Sequence, residues 1–380
     1  MKLLNLGKIP IKSWATDIEE GALIQAENLS NLPFAFKHIA IMADVHEGYG
    51  MPIGGVLACQ GMIIPNAVGV DIGCGIMAVK TDLTEISPEH IKKVIDTAYK
   101  LIPVGFDHHQ KPQEWEGFNA IPKTKIFKQE LDSARHQLGT LGGGNHFCSI
   151  EKGNDGHIWL MIHSGSRNLG YKVANHYNNV AKKLNEKTNL VPKNFNLAPL
   201  AIDSPEGKEY FAAMNYCLDF AKANRELIFK LFYEVFQKIT GSNKILQKID
   251  IHHNYASPES HYGEEVIVHR KGATRARLGE LGIIPGSMGT SSYIVEGLGN
   301  PESFMSCSHG CGRVISRREA NRVFTKEMAD KAMKGIYFKG WDGDYSEAPM
   351  AYKDIEEVIE NQKDLVKPLV KLTPLGVMKG

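Results

Sequence analysis

The 380-residue chain carries 44 Lys and Arg against 43 Asp and Glu, a formal net charge of +1, with 43% hydrophobic and 23% charged residues. That balance suits a soluble globular protein and excludes gripping nucleic acid through a polybasic tail, so any such partner must sit in a local basic cleft. No run approaches the roughly 20 apolar residues of a membrane helix, Met1 to Trp14 lacks a secretory-signal pattern, and six cysteines are too sparse for a disulfide scaffold. A cytoplasmic protein with reduced thiols is expected.

In chain order, short β-rich runs are expected at His38–Met42, Val56–Cys59, Trp159–Ile162 and Glu265–Val268. Residues of about 105–135 read as a polar excursion on the surface, with His108 and His109 solvated. His157 and His176 have no companions in sequence and read as surface or satisfied core residues. A long helix is predicted from about Lys208 to Ile239, where Phe211, Met214, Leu218, Ala221 and Leu227 fall near helical spacing. A second opens at Ser316-Arg317-Arg318-Glu319, which fits a capping box.

Neither an internal repeat nor an interdomain linker interrupts the chain. The expected fold class is mixed α/β, a single domain over residues 1–380 with central β-sheets flanked by helices. Its glycines gather at 48–55, 69–75, 139–144, 165–170, 279–289 and 307–312, usually beside His, Asp, Asn or Cys. Glycine lets backbone approach a ligand closely, so these loops are expected to converge on one cleft.

Asp71 and Cys74 sit in VGVDIGCGIMA, where flanking glycines let a tight turn present a carboxylate and a thiolate to one point. An isolated Cys in such a turn is usually just buried. Here a charged Asp would be stranded beside it without a partner. His146 in LGGGNHF, His163 in WLMIHSGSR and His253 in IDIHHNY each follow an apolar or glycine-rich run. One such His is more often a hydrogen-bonded core residue, but three plus D-x-x-C favour a shared metal centre. Mixed O, N and S donors suit Mn, Fe, Co or Zn better than Mg, for one ion or for two bridged by the thiolate.

The run GIIPGSMGTSS, 282–292, offers donors that could wrap phosphate oxygens, although an ordinary glycine turn is about as probable and no Walker lysine follows. Upstream, Arg270, Lys271, Arg275 and Arg277 form a basic loop, usually only a solvated face. The strongest catalytic candidate is His309 in SCSHGCGRVISRRE, a small-residue turn leading through Arg313 to the capped helix. Neutral imidazole is a competent nucleophile at phosphorus. A structural zinc site at Cys307, His309 and Cys311 is disfavoured because the chain has no second C-x-x-C or C-x-x-H half.

With these residues assembled, the chain resembles the RtcB-type RNA-splicing ligases from about residue 36 to residue 380. The resemblance rests on FKHIAIMADVHEGYGMPIGG, AVGVDIGCG, LGTLGGGNHF, HSGSRNLG, HHNYA, RKGATRARLGELGIIPGSMGT, SCSHGCGR, APMAYKDI and the terminal MKG. It implies a GTP- and manganese-dependent enzyme of RNA repair or tRNA splicing. Such an enzyme joins RNA 3′-phosphate or 2′,3′-cyclic phosphate ends to 5′-hydroxyl ends through a histidine–GMP intermediate. It further implies that Asp71, Cys74, His146, His163 and His253 hold two manganese ions bridged by Cys74, and that His309 becomes guanylylated. By the same resemblance Asn145, Ser287, Gly310 and Gly312 contact the nucleotide's phosphates and ribose, Tyr352 and Lys379 hold guanine, and Arg167 and Arg313 bind phosphate or RNA. Asp44 and His46 fall near the active site by family position only. The implied partners are GTP and broken RNA, tRNA or another cleaved RNA, with no membrane; an activating protein is left unspecified.

Three departures mark a divergent paralogue. Ser149 stands where the family has a guanine-contacting Glu, with Glu151 the nearest acid; Cys311 replaces an Ala, and Asn168 a Gly. Glu151 would lie on the same strand face as Ser149, and Cys311 so near the nucleophile invites oxidation. The alternative reading is a metal-dependent phosphohydrolase, such as a cyclic phosphodiesterase without ligation, which would need neither His309 nor a guanine pocket. A non-catalytic RNA-binding module would leave the metal cluster unexplained.

Overall fold

The computed structural model describes all 380 residues. Two sheets carry the fold. The first has six strands in the order Lys2–Leu4, Ile11–Ser13, Ala35–Tyr49, Met51–Cys59, Glu264–Lys271 and Asn254–His261. The second has seven, in the order Ile245–His252, Gly75–Thr81, Ile158–Ser164, Phe147–Gly153, Val366–Lys379, Ser292–Gly297 and Leu281–Ile284. All four expected strand runs lie inside these elements.

Strand periodicity assigns the faces. In the second sheet Ile76, Ala78, Trp159, Met161, Ile249, Ile283 and Ile294 form one cluster inside the curl. Its edge strands come into contact, so the sheet is nearly closed into a barrel. The alternate residues Met77, Val79, Leu160 and Ile162 pack outward against the helices Pro88–Ala98 and Pro205–Thr240. In the first sheet Ile39, Ile41 and Leu57 face the helix Glu20–Ser30, whereas Ala40, Met42 and Val56 face Phe304, Ile355 and Val358.

The helix predicted over 208–239 spans Pro205–Thr240, 36 residues. Ser204 caps it, its hydroxyl accepting from the Gly207 N–H, Pro205 takes the first turn, and Gly241 at φ 79° ends it. Its first half packs Tyr210, Met214 and Phe220 into one core cluster and its second half packs Ile228, Phe232 and Phe236 into another. Of the capping box only the N-cap half forms: the Ser316 hydroxyl accepts from the Glu319 N–H, while the Glu319 carboxylate pairs with Arg322, and that helix is only Arg317–Val323.

Residues 105–135 are not simply a surface excursion. Phe118 and Phe127 are buried and Trp115 packs edge-on to Phe118 and Phe220, because the helix Lys125–Gln137 must cover an apolar stripe. His109 is likewise not solvated: Nε2 lies 3.1 Å from the Gly139 carbonyl. His157 is satisfied by the Thr81 carbonyl and His176 is exposed.

Candidate active site

The chain passes from the second sheet to the first between His252 and Asn254, so His253 stands at the corner joining the two sheets. There the two sheets flank a cleft of about 700 Å³, which suits a nucleotide-sized ligand. Asp71 and Cys74 come from the turn entering the strand Gly75–Thr81, His146 from the glycine loop before Phe147, and His163 from the strand Ile158–Ser164. His309 follows the short strand Ser306–Ser308.

These donors form two overlapping sets. Cys74, His163 and His253 place their ligand atoms within 4.8 Å of one another, and so do Asp71, Cys74 and His146. Cys74 belongs to both. Its Sγ lies 3.2 Å from His163 Nε2 and 3.5 Å from His146 Nε2, and the latter is 3.2 Å from Asp71 Oδ2. His146 Nδ1 meets the Leu141 carbonyl at 2.8 Å and His163 Nδ1 the Asn145 carbonyl at 3.0 Å. A carbonyl only accepts, so each Nδ1 carries the hydrogen and each Nε2 keeps its lone pair toward the cluster.

The donor set fits a cation. Buried His253 Nδ1 has no hydrogen-bond partner, and burial, then neighbouring imidazoles, pushes His163 and His253 well below the usual histidine range. Burial and the Asp71 carboxylate push the Cys74 thiol up; positive charge at the site would turn it into a thiolate.

Two residues of the long helix hold these ligand loops. Asn224 Oδ1 accepts from the Gly139 N–H at 2.7 Å, and its amide donates to Ser164 Oγ at 3.0 Å and the Gly165 carbonyl at 3.1 Å. Arg225 donates to the carbonyls of Gly73 and Ser164, at 3.0 and 3.1 Å, while pairing with Asp250 at 2.6 Å. Gly73 and Ser164 adjoin the ligands Cys74 and His163. Neither residue was foreseen; their adjacency on an otherwise apolar helix face was the available signal.

The ring of His309 stands 4.8 Å from that of His253, centroid to centroid. Asp44, ambiguous in sequence, is fully buried beneath it. Asp44 Oδ2 accepts from the backbone N–H groups of His309 and Gly310 at 3.1 and 3.2 Å. His309 Nδ1 lies 2.6 Å from the same oxygen, off the direction of a ring N–H, so the approach is electrostatic rather than an aligned hydrogen bond. Burial pushes the Asp44 carboxyl up, but His309, with His46 and Lys353, holds the carboxyl below its usual range. Gly312, at φ 71°, fits because any Cβ there would collide with the Asp44 carbonyl. His46 lines the cleft, its Nδ1 3.0 Å from the Asp44 carbonyl.

Asn145, Ser287, Gly310, Gly312, Arg313, Tyr352 and Lys379 all line the cleft. The hydroxyls of Ser287 and Thr290 lie 2.9 Å apart and the Ser287 N–H donates to Thr290, a self-bonded loop. Arg313 is bound to Glu347 and the Ser346 carbonyl and lies 4.9 Å over the Tyr352 ring. Tyr352 donates to Glu347. Arg167 is different: its half-buried guanidinium lies behind the glycine loop, against Gly142, and donates to Thr140 Oγ1.

The basic loop divides. Arg270 is buried in an ion pair with Glu259, Arg275 pairs with Glu280, and only Lys271 reaches the cleft, bonded to the Tyr49 carbonyl and pushed down to about 7 by burial. Ser149 and Glu151 both face the cleft, the serine donating to Glu151 Oε1 at 2.6 Å. Burial raises Glu151 to about 7 and leaves its Oε2 without a partner. Cys311 is buried and pushed up to about 12, so it stays a thiol of low reactivity. Asn168 bonds Glu130, tying its helix to Lys125–Gln137.

Comparison with known proteins decides the family. The family model described as tRNA-splicing ligase RtcB matches residues 25–121 and 113–380. The chain belongs to the RtcB family. It is 37% identical to the RNA-splicing ligase RtcB of Escherichia coli strain K12, covering 100% of this chain and 99% of that relative. It is 31% identical to the tRNA-splicing ligase RtcB of Thermococcus kodakarensis, over 95% and 92%. With the RNA-splicing ligase RtcB of Mycobacterium bovis the identity is 32%, over 94% and 100%. The similarity to these RtcB proteins therefore spans the whole cleft rather than one motif. No helix is long and apolar enough to cross a membrane.

Proposed function

We propose that the protein is an RNA ligase of RNA repair or tRNA splicing that joins 3′-phosphate or 2′,3′-cyclic phosphate ends to 5′-hydroxyl ends at the expense of GTP. His309 Nε2 attacks the α-phosphorus of GTP; the N–P bond forms and the bond to the pyrophosphate oxygen breaks. Asp44 Oδ2, 2.6 Å from Nδ1 on the opposite edge of the imidazole, stabilises the positive charge it gains. An RNA 3′-phosphate oxygen then takes GMP from His309, and an RNA 5′-hydroxyl oxygen attacks the activated 3′-phosphorus and releases GMP. Asp71, Cys74, His146, His163 and His253 would hold two manganese ions, and the positive charge of those ions would neutralise phosphate oxygens.

Asn145, Ser287, Gly310 and Gly312 are proposed to bind the GTP phosphates and ribose, and Tyr352 and Lys379 its guanine, with Glu151 taking over the acid's place beside Ser149. Arg313 steadies the Tyr352 side of the pocket and, like Arg167, adds positive charge for phosphate or RNA. One observation carries the reading: a histidine free of metal-ligand duty stands against His253 at the edge of the cluster. The test is incubation with GTP radiolabelled at the α-phosphate and manganese. Acid-labile label on the wild type, absent in His309→Ala, is expected. A wild type that hydrolyses cyclic phosphates but takes no label would replace this reading with a phosphohydrolase.

A further inference from the structure

Phe106 is 101% exposed, more than any other large apolar side chain in the protein. A single exposed apolar residue is ordinary. Phe106 differs because the backbone on both sides of it is pinned. The Gly105 N–H donates to the Gly142 carbonyl at 2.7 Å, the Asp107 N–H to the Val104 carbonyl at 3.0 Å, and Arg167 Nη2 to the Gly105 carbonyl at 3.4 Å. The ring is held out into solvent on a fixed support.

That support belongs to the glycine loop of the cleft. Gly142 receives the Gly105 bond, the preceding Leu141 carbonyl orients His146, and Gly144 and Asn145 line the cleft. Cations stand nearby. Arg317, half exposed and paired with Glu347 at 2.7 Å, lies against Gly144, Lys379 lines the cleft, and Lys339 stands 3.9 Å over the Tyr99 ring, whose hydroxyl accepts from the Lys379 N–H. His108 and Lys111 are exposed beyond Phe106, and Asp107 is the one acid between Pro103 and Lys111.

We propose that Phe106 is a stacking platform for an unpaired RNA base flanking the strand break, with Arg317 and Lys379 meeting the phosphates between that base and the cleft. The proposal rests on the RNA-joining reading above. Every base offers a π face, and a fixed aromatic beside cations is how single strands are held without sequence preference. Along residues 101–111 only Leu101 is a second exposed large apolar side chain, and two such side chains fall far short of a protein interface of about 1,000 Å² or more.

The test uses the full-length protein, without nucleotide, and short oligoribonucleotides carrying 2-aminopurine beside either a 5′-hydroxyl or a 3′-phosphate end. Quenching is expected in one of the two arms, lost in Phe106→Ala and restored in Phe106→Trp, with dissociation constants about fivefold to tenfold weaker for the alanine variant. Equal quenching and affinity for wild type and Phe106→Ala in both arms would overturn the platform while leaving the RNA reading intact. A wild type that binds neither oligonucleotide would overturn both.

Discussion

Glu151 is a carboxyl supplied with two hydroxyl neighbours on one oxygen, Ser149 at 2.6 Å and Ser292 at 3.5 Å, and none on the other. Burial raises it from an ordinary 4.5 to about 7. The folded state therefore holds this proton more tightly than the unfolded chain does. Its contribution to stability is fully present below about pH 4.5 and declines as pH rises through 7, by at most about 3 kcal/mol. Glu151→Gln keeps the shape and discards the charge. Thermal melts should show a gain for the variant at pH 8 that largely vanishes at pH 5; an equal gain at both would mean that Glu151 does not titrate in this window.

At the level of elements, the helix Pro205–Thr240 does two jobs with adjacent turns. Its apolar residues join two core clusters, and between them Asn224 and Arg225 tie down the loops that carry Cys74, His146 and His163. Arg225 is fully buried and its pair with Asp250 is largely sheltered. Removing one partner of such a pair leaves a buried charge uncompensated. Arg225→Ala should cost about 3–5 kcal/mol in chemical denaturation and lower the manganese retained after gel filtration. Retention at the wild-type level would mean that the ligand loops hold their geometry without this anchor.

Across the whole molecule, the cluster gathers ligands from the corner between two sheets, a turn, a strand and a glycine loop, so an ion there cross-links segments far apart in the chain. Binding that favours only the folded state adds about 2.7 kcal/mol when free metal is a hundredfold above its dissociation constant. The melting temperature should therefore rise with manganese and fall with EDTA, and Cys74→Ala should erase most of that difference. Wild-type melts that coincide in the two conditions would refute a stabilising metal at this site.

The sequence by itself determined the chemistry on offer and the local backbone. Glycines beside Asp, Cys and His marked the loops, alternation marked strands such as Trp159–Ile162, and the spacing of Phe211, Met214 and Leu218 marked the long helix. Only the tertiary structure decided which groups are buried together. Asp44 reaches His309 across 265 residues, Arg225 on the long helix becomes fully buried, and Arg167 lies behind the glycine loop against Gly142. Phe118 and Phe127 likewise pull a polar-looking stretch into the core. Side-chain type and near-neighbour spacing act over a few residues of chain, whereas burial and ion pairing depend on which distant segments the packed sheets bring within a few ångströms.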